Sequence, residues 1–375
     1  MKICQFVLGH LPPGGLEYVV HYLSNALVEL GHEVTVLARF APDRVSILDK
    51  EKTNYQIFRY WLPRSKGFFH RSIIKIMLRS KMKEKKFDIV HAHQLYPAGY
   101  WAVSSLAPFR NIIVISAHGE DIQVEPEYNY GKRLNKRIDR KIRWTLKQGR
   151  CFTSVSSSLK DEMVALGAAE GSIRVIPNGV DLELFSGQNV FESGRPYLFS
   201  MGRLVFKKGY DVLINAFAEI MKENYDIGLI IAGRGPEETS LRDLVRKRGL
   251  SGRVKLVGFV DGNAKVSLVK GSRFYVCPSR REGLALANIE ALAAGKPVVA
   301  FDVDGNSDII EHGKNGLLAK PEDGEDLASK MQMLLRDEKL REKMKGQALR
   351  MVKKYDWLEI ARRYESLYEE MISRL

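Results

Sequence analysis

A chain of 375 residues with a formal charge of +14 is too long for one ordinary hydrophobic core, so two domains are expected. Hydrophobic residues make up 45% and charged residues 28%, the balance of a soluble globular protein, and no apolar run approaches the ~18–20 residues of a membrane span. The basic excess is uneven: residues 1–180 hold 27 Lys and Arg against 16 Asp and Glu, a net of +11, whereas the remainder nets +3, which favours an anionic partner for the first half.

From the N-terminus, MKICQFVLGHLPPGG lacks a signal-peptide core and reads as a first strand, Lys2–Leu8. A helix over Leu16–Leu30 follows, then strands at Glu33–Ala38, Phe87–His91, Asn111–Ser116 and Arg174–Ile176. Helical patterns over Leu134–Leu146 and Leu159–Leu166 fall between them. This alternation predicts an α/β fold with a mainly parallel sheet. Cys4, Cys151 and Cys277 each lie in or beside a strand pattern, the placement of core cysteines in a reducing, cytoplasmic compartment. The basic stretch Arg59–Lys86 carries Trp61, Phe68 and Phe69, followed by Ile73, Ile74, Met77 and Leu78 at helical spacing. Two readings of it stand: a helix packed on the first sheet with a solvated basic face, or a peripheral contact with an anionic membrane surface. The basic character of the wider first domain favours the second. No nucleic-acid module accompanies the charge, so nucleic acid is not expected as a partner.

The pattern lapses after Pro177-Asn178-Gly179, and the Ser-, Gly- and Pro-rich stretch 186–196 reads as a linker. A second alternating set begins at Tyr197–Met201. It continues through a helix over Tyr210–Asn224, a strand at Ile227–Ala232, a helix over Glu237–Arg248, and strands at Val254–Val257 and Gly316–Ala319. Two Rossmann-like domains facing across a cleft are expected: 1–185, a linker 186–196, 197–355, and a terminal helix 356–375.

The chemistry-bearing residues gather at predicted strand ends. Gly14-Gly15 opens the first helix and leaves its N–H groups accessible to an anion. Gly202-Arg203-Leu204-Val205-Phe206-Lys207-Lys208-Gly209 sets three cations between strand and helix, where a diphosphate would need them. Gly233, Gly235 and Pro236 would let a flat nucleobase approach the backbone, and His118 and Asp121 follow a strand of the first domain. His91 and His93 have no third partner at metal-ligand spacing, and Asp302-Val303-Asp304 reads as a turn-forming loop. The stretch Pro278–Ala300 forms a strand–turn–helix–strand unit, with Glu282 at the mouth of the helix and Glu290 along its body.

These residues together resemble glycosyltransferase family 4. The resemblance rests on Gly14-Gly15-x-Glu17, His118-Gly119, Ile176-Pro177-Asn178-Gly179-Val180-Asp181, Gly202-Arg203-Leu204 with Lys208-Gly209, Gly233-x-Gly235-Pro236, and Glu282-x7-Glu290. Six motifs in order cover most of the chain. The resemblance implies a GT-B fold whose C-terminal helix returns to the first domain, and a retaining, metal-independent transfer from a nucleotide-diphosphate sugar. Residue by residue, it implies Arg203 and Lys208 on the diphosphate, with Gly15 and the amides around Leu284 and Ala285 completing that cradle. It further implies Glu282 and His118 at the donor sugar, Glu290 at the ribose, and Asp121 at acceptor or sugar. UDP is the expected nucleotide and GDP the next. A glycan or glycolipid is the expected acceptor, reached from the cytoplasmic face of a membrane. Leu284-Ala285-Leu286 stands where the family often has a second glycine, Asp304 where a glycine pair is common, and Asp308 for a frequent glutamate, so the sugar stays open. A nucleotide-sugar epimerase or hydrolase, or a sugar phosphorylase, could use the same fold.

Overall fold

The computed structural model describes residues 1–7, 15–39, 53–60, 68–106, 109, 112–187 and 190–375. It divides into two units, Met1–Gly179 with Trp357–Leu375, and Val180–Asp356. Gly14, Trp61 and part of the basic stretch after Arg59 lie outside the described residues.

In chain order the first unit contains β1 (Lys2–Val7), α1 (Gly15–Glu29), β2 (Glu33–Arg39), β3 (Gln56–Tyr60), α2 (Phe68–Lys85), β4 (Ile89–His93) and α3 (Tyr100–Ser105). It continues with β5 (Ile113–Ala117), α4 (Lys136–Gln148), β6 (Cys151–Ser154), α5 (Ser157–Ala165) and β7 (Ile173–Val175). The seven strands run parallel in the order β3-β2-β1-β4-β5-β6-β7. β4, β5 and β6 are buried along their whole length, as expected of parallel strands covered on both faces. Two strands had no clear sequence signal. β3, QIFRY, is an edge strand with polar alternation, and β6, CFTS, is short and half polar.

Local chemistry fixes the helix starts. Asn135 caps α4 by accepting from the Arg137 and Ile138 N–H groups, so α4 begins at Lys136 rather than at Leu134. α2 turns Ile74, Leu78 and Met82 inward and leaves Ile76 two-thirds exposed among Lys75, Arg79 and Lys83. The core therefore takes much of its apolar face.

The C-terminal helix α12 (Trp357–Ile372) belongs to the first unit and packs against α1. Trp357 stacks on Tyr22 with centroids 6.2 Å apart. Its indole fills the space a side chain at Gly179 would take, since a Cβ there would meet the ring at 2.6 Å. His32 Nε2 lies 2.9 Å from the Glu365 carboxylate.

The second unit carries β8 (Tyr197–Met201), α6 (Tyr210–Met221), β9 (Gly228–Ala232), α7 (Glu238–Lys247), β10 (Val254–Leu256) and α8 (Gly262–Gly271). Then come β11 (Tyr275–Cys277), α9 (Leu286–Ala293), β12 (Val298–Phe301), β13 (Gly316–Ala319), α10 (Gly324–Arg336) and α11 (Glu338–Met351). Its six parallel strands are ordered β10-β9-β8-β11-β12-β13. Apolar clusters cover this sheet: Leu213, Phe217, Phe274 and Phe301 belong to one, and Phe199, Tyr275, Ile289 and Val298 to the other. The winding direction reverses between β8 and β11, the place where open α/β sheets bind ligands. All three cysteines are buried free thiols. Among the described residues no helix is long and apolar enough to cross a membrane.

Candidate active site

Two loops leave the strands at the second unit's reversal point, residues 202–209 after β8 and 278–285 after β11. They are locked to each other by contacts that demand glycine. Gly209 has φ of 65°, and a Cβ there would sit 1.9 Å from the Pro278 carbonyl oxygen. Gly233, after β9, has φ of 149°, and its Cβ would lie 1.8 Å from the Gly202 carbonyl oxygen. Gly233 and Gly235 thus serve the packing of the 202–209 loop before they serve any ligand. Arg280 is the strut between the two loops. Its guanidinium binds both carboxylate oxygens of Asp211 at 2.9 and 2.8 Å and Glu322 at 3.0 Å, and it lies 3.8 Å from the centre of the Phe206 ring. Its amide donates to the Lys207 carbonyl at 2.9 Å.

What the strut holds together is a group of cations around one buried carboxylate. Lys208 Nζ donates to Glu282 Oε1, which also accepts from Ser279 Oγ at 2.7 Å. Lys207 is buried beside them, and Arg203 and Arg281 complete the group. Burial alone would raise the Glu282 carboxyl, yet Lys208 and Lys207 hold it below the usual carboxylate range. Burial brings Lys207 down to about 8, with Glu282 opposing and Lys208, Arg203 and Arg281 adding to the fall. Lys208 is raised despite its burial, because Glu282 outweighs that burial. Four cations gather around Glu282, an arrangement suited to a further anion. Arg203 is exposed, and among the described residues no carboxylate pairs with it.

Glu282 does not stand at a helix mouth. α9 starts at Leu286, and the pull of Lys208 and Ser279 keeps the Glu282 side chain in the preceding loop. Leu284 and Ala285 lie at the N-terminus of α9, with Ala285 the residue before its first turn. Glu290, in the second turn, pairs with Lys265 of α8 at 2.5 Å and remains partly exposed. Sequence reasoning missed Ser279, Arg280 and Arg281. The three polar residues after Pro278 were the available signal.

In the first unit, Gly15 is the exposed first residue of α1. His118 directly follows β5 and is partly exposed. Its Nε2 lies 3.3 Å from His93 Nδ1, and His93 Nε2 lies 2.7 Å from Gln5 Oε1. His91 bonds to Ser116 at 2.6 Å and to Tyr368 of α12 at 2.8 Å. Both nitrogens of His91 and of His93 are thereby engaged with protein groups. Asp121 is fully buried and accepts from the Leu95 N–H at 2.7 Å and the His118 N–H at 3.1 Å. Its carboxylate braces the turn that presents His118.

The profile described as Glycosyltransferase Family 4 matches residues 13–184, and that described as Glycosyl transferases group 1 matches residues 182–351. A glycogen synthase of Mycobacterium tuberculosis is 26% identical, with 95% of this chain and 91% of that protein aligned. A phosphatidyl-myo-inositol mannosyltransferase of Mycolicibacterium smegmatis is 28% identical over 95% and 90%. The solved structure of Anabaena HepE in complex with UDP and glucose superposes with a TM-score of 0.81 at 19% identity, covering 99% and 100% of the two chains. The chain belongs to the group 1, family 4 glycosyltransferases and has their fold.

The buried charge set predicts a pH-dependent stability. A carboxyl held low in the folded state contributes stability above its unfolded value of about 4.3 and loses it as pH falls through the folded value. Glu282→Gln is expected to lose about 1.5–3 kcal/mol at pH 7, as for a hydrogen bond to a charged group. Urea unfolding at pH 7 and below pH 4 checks this, and a difference from wild type that stays constant across that range contradicts it.

Proposed function

We propose that this protein moves a sugar, with retained anomeric configuration and without a required metal, from UDP-sugar to a hydroxyl of a glycan or lipid-linked acceptor, GDP-sugar being the second choice of donor. The observation that carries this reading is the group of Arg203, Lys207, Lys208 and Arg281 around the single buried carboxylate of Glu282. A leaving nucleoside diphosphate gains negative charge as its bond to the sugar breaks, and fixed cations in a partly desolvated site stabilise that charge. Arg203 supplies a planar fork and Lys208 a point charge for the two phosphates. Gly15 and the amides around Leu284 and Ala285 complete the cradle, while Gly233, Gly235 and Pro236 border the nucleotide.

As the diphosphate arrives, Lys208 turns part of its interaction from Glu282 to phosphate. Glu282, held as a carboxylate, only accepts hydrogen bonds, so it takes those of the sugar hydroxyls. His118 contacts the same sugar, and Glu290 takes the ribose hydroxyls. In the step itself the sugar C1–O bond to phosphate breaks, a new C1–O bond forms to the acceptor oxygen on the same face, and the acceptor proton passes to the departing diphosphate. UDP as the favoured nucleotide is supported by the UDP and glucose in the HepE complex. Acceptors of both kinds, glycan and lipid, are supported by the glycogen synthase and the phosphatidyl-myo-inositol mannosyltransferase among its relatives. A cytoplasmic site at the inner membrane face accords with the net +11 of residues 1–180. Ile76, exposed on α2 among basic residues, is one described apolar side chain available to such a contact through Arg59–Lys86.

A thermal-shift screen of UDP, GDP and ADP is expected to rank UDP first, because a ligand that binds only the folded state stabilises it by mass action; equal or absent shifts would remove the nucleotide assignment. With a nucleotide-sugar panel and glycan or lipid-linked acceptors, Arg203→Ala and Lys208→Ala should each lower kcat about 10²–10³-fold, and EDTA should leave the rate unchanged. Loss confined to the acceptor KM refutes the leaving-group role. Turnover without acceptor points instead to a hydrolase or epimerase, and turnover dependent on inorganic phosphate to a phosphorylase. Flotation with vesicles containing anionic lipid is expected at low salt; absence of binding there ends the membrane assignment.

A further inference from the structure

Three imidazoles from two strands meet inside the first unit. His91 and His93 sit two apart on β4, and strand alternation puts them on one face, with ring centroids 4.3 Å apart. His118 follows β5 and stacks on His93 with centroids at 5.5 Å. Only His118 is partly exposed; His91 and His93 are 0% and 1% exposed.

The hydrogen bonds give this cluster a direction. The Gln5 Oε1 that faces His93 Nε2 at 2.7 Å can only accept. His93 therefore carries its proton on Nε2, and its Nδ1 presents a lone pair. That lone pair faces His118 Nε2 at 3.3 Å, which must then be the donor. The His118 main chain is fixed separately, its N–H held by Asp121 at 3.1 Å. Among the described residues nothing bonds to His118 Nδ1.

We infer that His93 is a positioning residue that holds His118 as the Nε2–H tautomer, so that His118 offers Nδ1 as a hydrogen-bond acceptor to a hydroxyl of the donor sugar. The inference rests on the assignment of His118 to that sugar. The surroundings support it. Burial brings His118 down to about 4, with Asp121 opposing and Lys132 adding to the fall. Burial likewise brings His91 down to about 3 and holds His93 well below its usual range, with the neighbouring imidazoles adding to each fall. A second proton on His118 is thus disfavoured near neutral pH, and the neutral ring has one tautomer that satisfies His93. A sugar hydroxyl that donates to Nδ1 still has its oxygen free to accept, whereas an N–H at that place would invert the requirement.

Histidine 15N spectra of the full-length protein test the assignment directly. His118 protonated at Nε2 is the expected result, and His118 protonated at Nδ1 overturns the inference. His93→Leu removes the acceptor and is expected to lower kcat about 10–100-fold, with the donor KM within about twofold, as for lost alignment at a reacting centre. His93→Asn, whose amide oxygen sits near the place of the ring Nδ1, should restore most of the rate and the Nε2–H signal. A folded His93→Leu protein with wild-type kcat and unchanged His118 signals also overturns the inference. If His93→Leu does not fold, the wild-type spectrum decides. His118→Ala separates the two levels: full activity there refutes the sugar assignment of His118, whereas severe loss beside a silent His93→Leu refutes only the role of His93.

Discussion

Like charges crowded into a partly buried space set the constraint on which the second unit depends. Lys207, Lys208, Arg203 and Arg281 gather around Glu282, and their mutual repulsion must be held in check by fixed geometry. Charges taken out of water are tolerated only when partners and geometry are fixed. Arg280 supplies the fixing. By occupying Asp211, Glu322 and the face of Phe206, it ties the loop after β8 to the loop after β11 from their outer side. The site can keep unbalanced positive charge because the balanced charges stand next to it as a frame.

The glycines of the second unit follow from the same requirement. Loops drawn within contact distance of one another's carbonyl groups cannot carry side chains at Gly209, against Pro278, or at Gly233 after β9, against Gly202. From sequence, each glycine invites the reading of a ligand approaching the backbone. In the structure the approaching backbone is the protein's own. A motif of this family is therefore partly a packing motif, and the anion site it produces is a consequence of how closely the loops are drawn together.

Much of the fold was legible because parallel strands buried on both faces read as apolar runs. Tyr197–Met201 and Gly316–Ala319 could be placed to the residue. β3 and β6 were not legible, since an edge strand and a four-residue strand with two hydroxyl side chains carry too little apolar pattern. Among site residues, Arg203, Lys208 and Glu282 announced themselves by their spacing from glycines. Arg280 did not, because its role depends on Asp211 and Glu322, 69 and 42 positions away, and only the fold brings them together. The amphipathic pattern of α2 has a different limit. Periodicity identifies an apolar face but cannot say what covers it, and Ile74, Leu78 and Met82 are covered by the protein itself.

The two units solve opposite electrostatic problems with similar sheets. In the second, burial is opposed by the Glu282 carboxylate, so Lys208 stays protonated and the site retains positive charge. In the first, three imidazoles cluster, His91 and His93 buried and His118 partly exposed, and the Asp121 carboxylate near them is occupied by backbone N–H groups. Burial then prevails, and the rings stay neutral. A neutral imidazole is a directional group with one donor and one acceptor, whereas a lysine is a charge with donors only. The first arrangement is uncharged and directional, and the second concentrates positive charge. The hydroxyls of Ser116 and Tyr368 give His91 uncharged partners, and Thr153 and Tyr364 bond to Ser116 in turn. Two of these tyrosines come from α12, so the return of the C-terminal helix supplies polar partners to the same core that keeps His118 uncharged.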